Sequence, residues 1–413
     1  MEGKRLIRTL RIKNFLSYGS ESEEIELLPL NVLIGPNVSG KSNLIEAIGL
    51  LRATPKDLTA PIREGGGIAE WLWKGEKSNP KVPTAEIEAI VNYPDGIMPL
   101  RYRLCFTMVG QRLELVDEVI ENERPSGPNE TDVYFFYRYQ QGNPVLNVKT
   151  VVGDQGEQAR AGTAEGRTRR DLRREDLSLE QSVLSQRKDP DQYPEITYLG
   201  NQFAKIQLYR EWNLGRYTAP RMPQKADLPE DFLLEDTSNL GLVLNDLQNR
   251  PKVKKLIIEK LKKFYDAADD IATKIQGGTV QIFIHEKGLH QPIPATRLSD
   301  GTLRYLSLLT LLCHPTPPPL LCIEEPELGL HPDILPTIAE LLIEASQRTQ
   351  LIVTTHSDIL VSALTEIPES VLVCEHDGTG SRLRRLEAEQ LKQWLEKYSL
   401  GELWRMGEIG GTR

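Results

Sequence analysis

Residues Gly35-Pro36-Asn37-Val38-Ser39-Gly40-Lys41-Ser42 fit the pattern G-x-x-x-x-G-K-[ST] in full. What precedes and follows them limits the chain further. Asn31-Val32-Leu33-Ile34 is an apolar run that reads as a buried strand, and Leu44, Ile45, Ile48 and Leu51 then recur at helical spacing. Strand, glycine turn and helix make a phosphate loop. The glycines let successive backbone N–H groups point into one hollow, and the helix turns its positive end toward the same place. On this reading residues 35–42, with Asn43 beside them, surround a nucleoside triphosphate. Lys41 reaches the β- and γ-phosphates, and the Ser42 hydroxyl ligates Mg2+.

Three later segments fit the same chemistry. Leu320-Leu321-Cys322-Ile323-Glu324-Glu325 is an apolar strand that ends in two carboxylates. Glu324 would hold Mg2+ through water and Glu325 would orient and polarise the attacking water. Such a pair can also be a strand ending in solvated acids; the following Pro326-Glu327-Leu328-Gly329-Leu330-His331-Pro332 favours the catalytic role. Glu324 stands where Asp is usual and is one methylene longer. Leu351-Ile352-Val353-Thr354-Thr355-His356-Ser357 brings His356 to a strand's C-terminal end, where ligands collect in parallel α/β sheets. After a carboxylate strand it reads as a γ-phosphate sensor. Leu298-Ser299-Asp300-Gly301-Thr302 opens a helix, and taken alone is a helix cap.

Composition narrows the setting. The 413 residues carry a formal net charge of −9, so contact with nucleic acid would need a local basic patch. Cys105, Cys313, Cys322 and Cys374 lie far apart and read as buried thiols in a reducing compartment. The N-terminus has no signal-peptide pattern, and the apolar stretch 303–323 contains Arg304, His314 and four prolines, which exclude a membrane span. The expectation is a cytoplasmic protein with no membrane insertion.

Along the chain the predicted organisation is α/β. Residues 1–155 would hold the phosphate loop and an antiparallel meander with strands near 85–93, 100–108, 112–120, 133–140 and 145–152. Residues 156–279 would form a charged insertion, exposed and partly helical over 153–192, and a helical lobe over 227–272. Residues 280–413 would complete the α/β unit, with strands at 280–285, 320–323, 351–355 and 370–375, helices at 298–312 and 334–345, and an amphipathic helix at 387–404. Two basic segments stand out. Lys252–Lys263 reads as the solvated face of a helix, and residues 167–174 mix five arginine positions (167, 169, 170, 173, 174) with Asp171.

The order phosphate loop, Leu-Ser-x-Gly, carboxylate strand, histidine resembles the ABC ATPase class. Its details resemble the RecF/SMC-like branch, in particular stand-alone AAA-type ATP-binding proteins related to the overcoming-lysogenization-defect (OLD) ATPases. Asn14-Phe15-Leu16-Ser17, residues 35–42, 297–304, 323–332 and 354–357, and the tail 398–404 with Gly410-Gly411 carry the likeness. It covers 1–60 and 280–413 well and 61–279 only in outline. The resemblance implies a head with a mixed or parallel core sheet, an antiparallel meander subdomain and a helical signature lobe. It also implies a homodimer or higher oligomer in which two heads sandwich two ATPs. Lys41, Glu324, Glu325 and His356 of one head would face Ser299, Asp300 and Gly301 of the other, and 328–331 would link the two sites. Asp300 and Thr302 depart from the transporter-type signature, and Leu16 replaces a nucleotide-contacting Arg of some relatives. Gln202 and Gln207 are the candidates for the Q-loop.

The implied activity is Mg-ATP hydrolysis by a dimeric switch in DNA-linked work or anti-phage and anti-plasmid defence. DNA is a candidate direct partner, and a separately encoded effector such as a TOPRIM-like nuclease is expected. Only nine residues follow Trp404, so no fused nuclease is expected there, and no coiled coil of SMC length is present. Two alternatives remain beside this: the nucleotide-binding subunit of a membrane transporter, and a slow ATP-gated scaffold.

Overall fold

Leu30–Ile34, the strand that leads into the glycine turn, is buried at every residue. In the computed structural model, which describes residues 3–21, 23–75, 83–125, 132–140, 143–149, 167–171 and 177–411, this strand lies inside a six-stranded sheet. The order is Gln207–Tyr209, Leu320–Glu324, Gln350–Thr354, Leu30–Ile34, Val371–His376, Ser381–Arg385. The first five strands are parallel and the last turns back. A sheet covered on both faces needs nearly continuous apolar strands. Residues 320–323 supply one: Leu320 and Cys322 join the core beneath the phosphate-loop helix, Lys41–Ala53, while Leu321 and Ile323 join the core on the opposite face. Parallel order also brings the C-terminal ends Ile34, Glu324 and Thr354 to one edge. The loops bearing Gly35, Glu325 and His356 leave from that edge.

The expected meander is present and larger than expected. Its eight antiparallel strands run in the order Ile25–Glu26, Ile7–Lys13, Ala85–Val91, Leu100–Val109, Arg112–Asn122, Phe135–Gln140, Asn143–Lys149, Arg167–Asp171. The last of these corrects the reading of 153–192 as an exposed insertion, while the partly helical character expected there is met by Val183–Gln186. Arg167–Asp171 pairs antiparallel with Asn143–Lys149, and Leu177, Val183 and Leu184 are buried. Arg-Thr-Arg-Arg-Asp has no apolar alternation, so only strand pairing reveals it. Residues 150–166 and 172–176, including Arg173 and Arg174, lie outside the described residues.

Glu118 fastens this sheet to the chain that follows. Fully buried, it accepts hydrogen bonds from Tyr102 Oη at 2.8 Å, from the Val183 N–H at 2.9 Å and from the Ser182 hydroxyl. Burial pushes its carboxyl up to about 7, against the pull of these donors. In the unfolded chain the same group titrates near 4.5, so between those values the folded state holds the proton that the unfolded state has released. Stability therefore falls as pH rises through that window. Glu118→Gln should flatten this part of the profile, measured as the difference between wild type and variant in urea unfolding from pH 4.5 to 8. Parallel profiles would show that Glu118 does not titrate there.

The third unit contains helices Leu240–Gln248, Pro251–Phe264 and Asp300–Leu312, packed on the far face of the parallel sheet. The expectation of helix through 272 is corrected here. Ala268–Gln276 is a strand, paired along its length with Thr279–Glu286 across Gly277-Gly278. Thr279–Glu286 is therefore in a small antiparallel sheet and not in the α/β core. The C-terminal helix is also two: Ala388–Leu395 and Leu400–Met406, divided because Ser399 and Glu402 form a capping box. The basic face of 252–263 is largely paired: Lys254 with Asp270, Lys260 and Lys263 with Glu340, Lys260 with Glu344, and Lys262 with Asp269. Among the described residues no helix is long and apolar enough to cross a membrane.

Candidate nucleotide-binding site

The glycine loop is packed closely against the strands Val371–His376 and Ser381–Arg385. Gly35 has φ 147° and Gly40 φ 105°. A Cβ at Gly35 would stand 2.2 Å from the Cys374 carbonyl oxygen, and one at Gly40 would stand 2.2 Å from Ser381 Oγ. Cys374 Sγ donates to the Ser39 carbonyl at 3.0 Å and Tyr18 Oη to the Gly40 carbonyl at 3.1 Å. Asn43 Nδ2 donates to Ser17 Oγ at 2.7 Å, so this side chain braces the loop from behind. Gly35→Ala combines left-handed backbone strain with a clash against backbone, and should cost about 2–5 kcal/mol in urea unfolding. Wild-type stability in that variant would show that the loop yields freely.

Lys41 Nζ donates to the Gly35 and Pro36 carbonyls at 2.8 and 2.9 Å, which places its ammonium in the loop's mouth. Burial lowers its pKa, while Glu325 and Glu324 pull it upward. Ser42 Oγ donates to Glu324 Oε2 at 3.0 Å, joining the loop to a strand 282 positions away. Glu324 Oε1 lies 3.4 Å from Arg210 Nε, and Arg210 Nη1 donates to Glu46 at 2.6 Å. Burial raises the Glu324 carboxyl; Arg210 and the Ser42 hydrogen bond oppose the shift.

Glu325 starts where the strand stops and adopts φ 46°, the left-handed region in a non-glycine residue. Its N–H donates to the Thr354 carbonyl at 3.0 Å, and its own carbonyl accepts from Arg304 Nη2 at 3.1 Å. Arg304 lies over the Trp212 ring, 5.1 Å from the centroid. With its backbone held from two sides, Glu325 presents its carboxylate to His356: Nε2 to Oε1 is 3.6 Å. Glu327 Oε1 accepts from the His356 N–H at 2.8 Å and from Thr355 Oγ1 at 2.7 Å, which sets the loop that carries the histidine.

Lys41, Ser42, Glu324, Glu325 and His356 therefore converge at one edge of the sheet. Ser299, Asp300 and Gly301 lie elsewhere in the chain. The Ser299 hydroxyl accepts from the Thr302 N–H at 3.0 Å as an N-cap, and Asp300 pairs with Arg221, its carboxylate mostly exposed. Among the described residues no hydrogen bond or ion pair joins these three to the phosphate loop or to Glu324, Glu325 or His356. Gln202 and Gln207 are also elsewhere. Gln202 lies on the helix Pro194–Ala204 and Gln207 opens a strand at its N-terminal end, and both line a cleft with Pro319 and Arg348 at the opposite edge. The strand's other end brings Arg210 to the Glu324 carboxylate and Trp212 Nε1 to the Glu324 main-chain carbonyl at 3.3 Å, and no sequence motif marks either residue. Arg304 and Glu327 lie inside the segments 297–304 and 323–332, and their spacing there does not show what they hold.

A sequence profile described as "AAA domain, putative AbiEii toxin, Type IV TA system" matches residues 155–362, and a second AAA-domain profile matches residues 9–54. The chain belongs to the first of these AAA-domain families. No curated protein sequence matches it. Among solved structures, an SMC head bound to the C-winged-helix domain of ScpA is similar, with 15% identity, a TM-score of 0.57 and coverage of 94% of this chain and 100% of that one. A Pyrococcus furiosus Smc head with an extended coiled coil, bound to the C-terminal domain of ScpA, gives 14%, 0.57, and coverage of 95% and 99%. A Pyrococcus yayanosii Smc head with a coiled coil and joint gives 13%, 0.50, and coverage of 95% and 99%. The AAA-domain chain thus has the SMC-head fold, with an ATP-binding site of the ATPase type.

Proposed function

We propose that this AAA-domain protein binds and hydrolyses Mg-ATP as a nucleotide-gated homodimer. The observation that carries the reading is the 3.0 Å hydrogen bond from Ser42 to Glu324, with the Glu325–His356 pair beside it. Residues 35–43 surround the phosphates. The Ser42 hydroxyl would ligate Mg2+ and the Glu324 carboxylate would hold it through water, hard oxygen groups of the kind that this ion takes in small number beside phosphate. Among the described residues no larger cluster of metal-ligating side chains occurs, which agrees with that mode. When bound, Mg2+ would neutralise charge on the β- and γ-phosphates. Glu325 orients the attacking water and takes its proton, and His356 meets the γ-phosphate.

The second copy would supply Ser299, Asp300 and Gly301. Two features support this. Within one chain these residues stand apart from the phosphate loop. Exposed apolar side chains also surround the site: Val38 at the loop tip, Leu328 after the carboxylates, Ile359 after His356, and Met406 on the helix packed against 358–362. A second head would cover them. The gating is tested by sedimentation of Glu325→Gln, with a dimer expected in Mg-ATP and a monomer in Mg-ADP. The same mass in both would overturn it.

The biological setting follows from weaker support. The family description names a toxin of a type IV system, and two of the similar heads were solved bound to a domain of ScpA. Both suit a defence role with a separately encoded effector. The pairing of the 252–263 lysines argues that any DNA contact lies on another face.

A further inference from the structure

The C-terminal segment returns to the phosphate loop, a contact the reading above leaves unused. Helix Leu400–Met406 packs on Asp358–Ser362, the short helix directly after His356. Beyond it, Trp404 Nε1 donates to the Gly411 carbonyl at 3.2 Å, and the Gly411 N–H donates to Glu375 Oε1 at 3.0 Å. The turn then lies on the loop itself: a Cβ at Gly411 would come within 3.3 Å of Gly35 Cα. Tail and loop enclose an open cavity of about 720 Å3, lined among others by Pro36, Asn37, His356, Asp358 and Arg405.

Arg405 and His356 are the only side chains able to carry positive charge among the described residues lining this cavity. Arg405 is two-thirds exposed, and its Nε lies 3.1 Å from Asp358 Oδ2. An exposed pair of that kind contributes little. A guanidinium facing phosphate oxygens makes shorter, often bidentate, charge-assisted bonds. The cavity opens on the His356 side of the loop, where the last phosphate of a triphosphate would lie and would add negative charge close to Glu325 and Asp358. We propose that Arg405 reads that terminal phosphate. Its guanidinium leaves Asp358 for γ-phosphate oxygens in the triphosphate state and returns to Asp358 with a diphosphate. Helix Leu400–Met406 thereby carries nucleotide state into the tail. This rests on the assignment of residues 35–42 to nucleotide.

Calorimetric titration of Mg-ATP and Mg-ADP, in the Glu325→Gln background so that ATP persists, tests it. Arg405→Ala should weaken Mg-ATP roughly tenfold or more and change Mg-ADP by less than about twofold. Arg405→Lys should recover part of the loss, and Asp358→Asn, which frees the guanidinium, should not weaken Mg-ATP. Unchanged affinities for both nucleotides in Arg405→Ala would overturn the proposal. So would an equal fall in both, which would make the tail a mere support for the loop. Lys41→Ala separates the two levels. If the parent binds ATP, Lys41→Ala does not, and Arg405→Ala equals the parent, only the role of Arg405 is lost. If the parent binds neither nucleotide, the site assignment and this proposal fall together.

Discussion

Replacing Glu325 by glutamine will lower ATP turnover by roughly a hundredfold or more while ATP still binds. The amide keeps the size and polarity of the side chain but cannot take a proton from water. The change is local, because the Thr354 carbonyl and Arg304 hold the backbone of residue 325 and both contacts are to main-chain atoms. His356, 3.6 Å away, loses only a charged neighbour. Steady-state phosphate release with excess Mg-ATP gives turnover, and equilibrium titration gives binding. Full turnover in the variant would remove Glu325 from the chemistry. A wild type that itself barely turns over would favour the slow scaffold.

Lys41→Ala should weaken ATP binding by on the order of a hundredfold, because it removes a charge-assisted donor from a site of low effective dielectric. Lys41 is buried in the loop's mouth, and the two carbonyls it bonds belong to the loop, so its loss also loosens the cradle. Competition against a fluorescent ATP analogue measures the change. An unchanged affinity would place the nucleotide elsewhere.

The parts of the site that were legible in the sequence are local. Residues 35–42 carry their chemistry in consecutive positions, Glu324-Glu325 ends an apolar run, and His356 ends another. The parts that were not legible depend on contacts across the fold. Gln207–Tyr209 is three residues long and shows no pattern, so nothing in the sequence places Arg210 beside Glu324. Its pairing with Leu320–Glu324 decides that, and it also takes Gln207 away from the site. Ala268–Gln276 buries only Ala268 and Ile271, too few for a period-two signal, and its neighbours continued a helical stripe. The break in the tail could have been found, since Ser399-Leu400-Gly401-Glu402 has the spacing of a capping box. The fold class was readable because buried parallel strands must be apolar throughout, whereas the full width of the antiparallel sheet was not, because Arg167–Asp171 pairs into it without any apolar alternation in its sequence.

The central claim is that each ATP site is shared by two chains, and mixing two inactive variants tests it. Lys41→Ala spoils the phosphate loop and keeps the signature, while Ser299→Arg does the reverse. In a two-fold dimer the mixed species contains one site with both halves intact. Equal mixing makes half the dimers mixed, so activity should return to about a quarter of wild type per chain. Each variant alone should stay inactive. If the mixture stays as inactive as its components while the two chains demonstrably associate, each site is complete within one chain and the account is wrong.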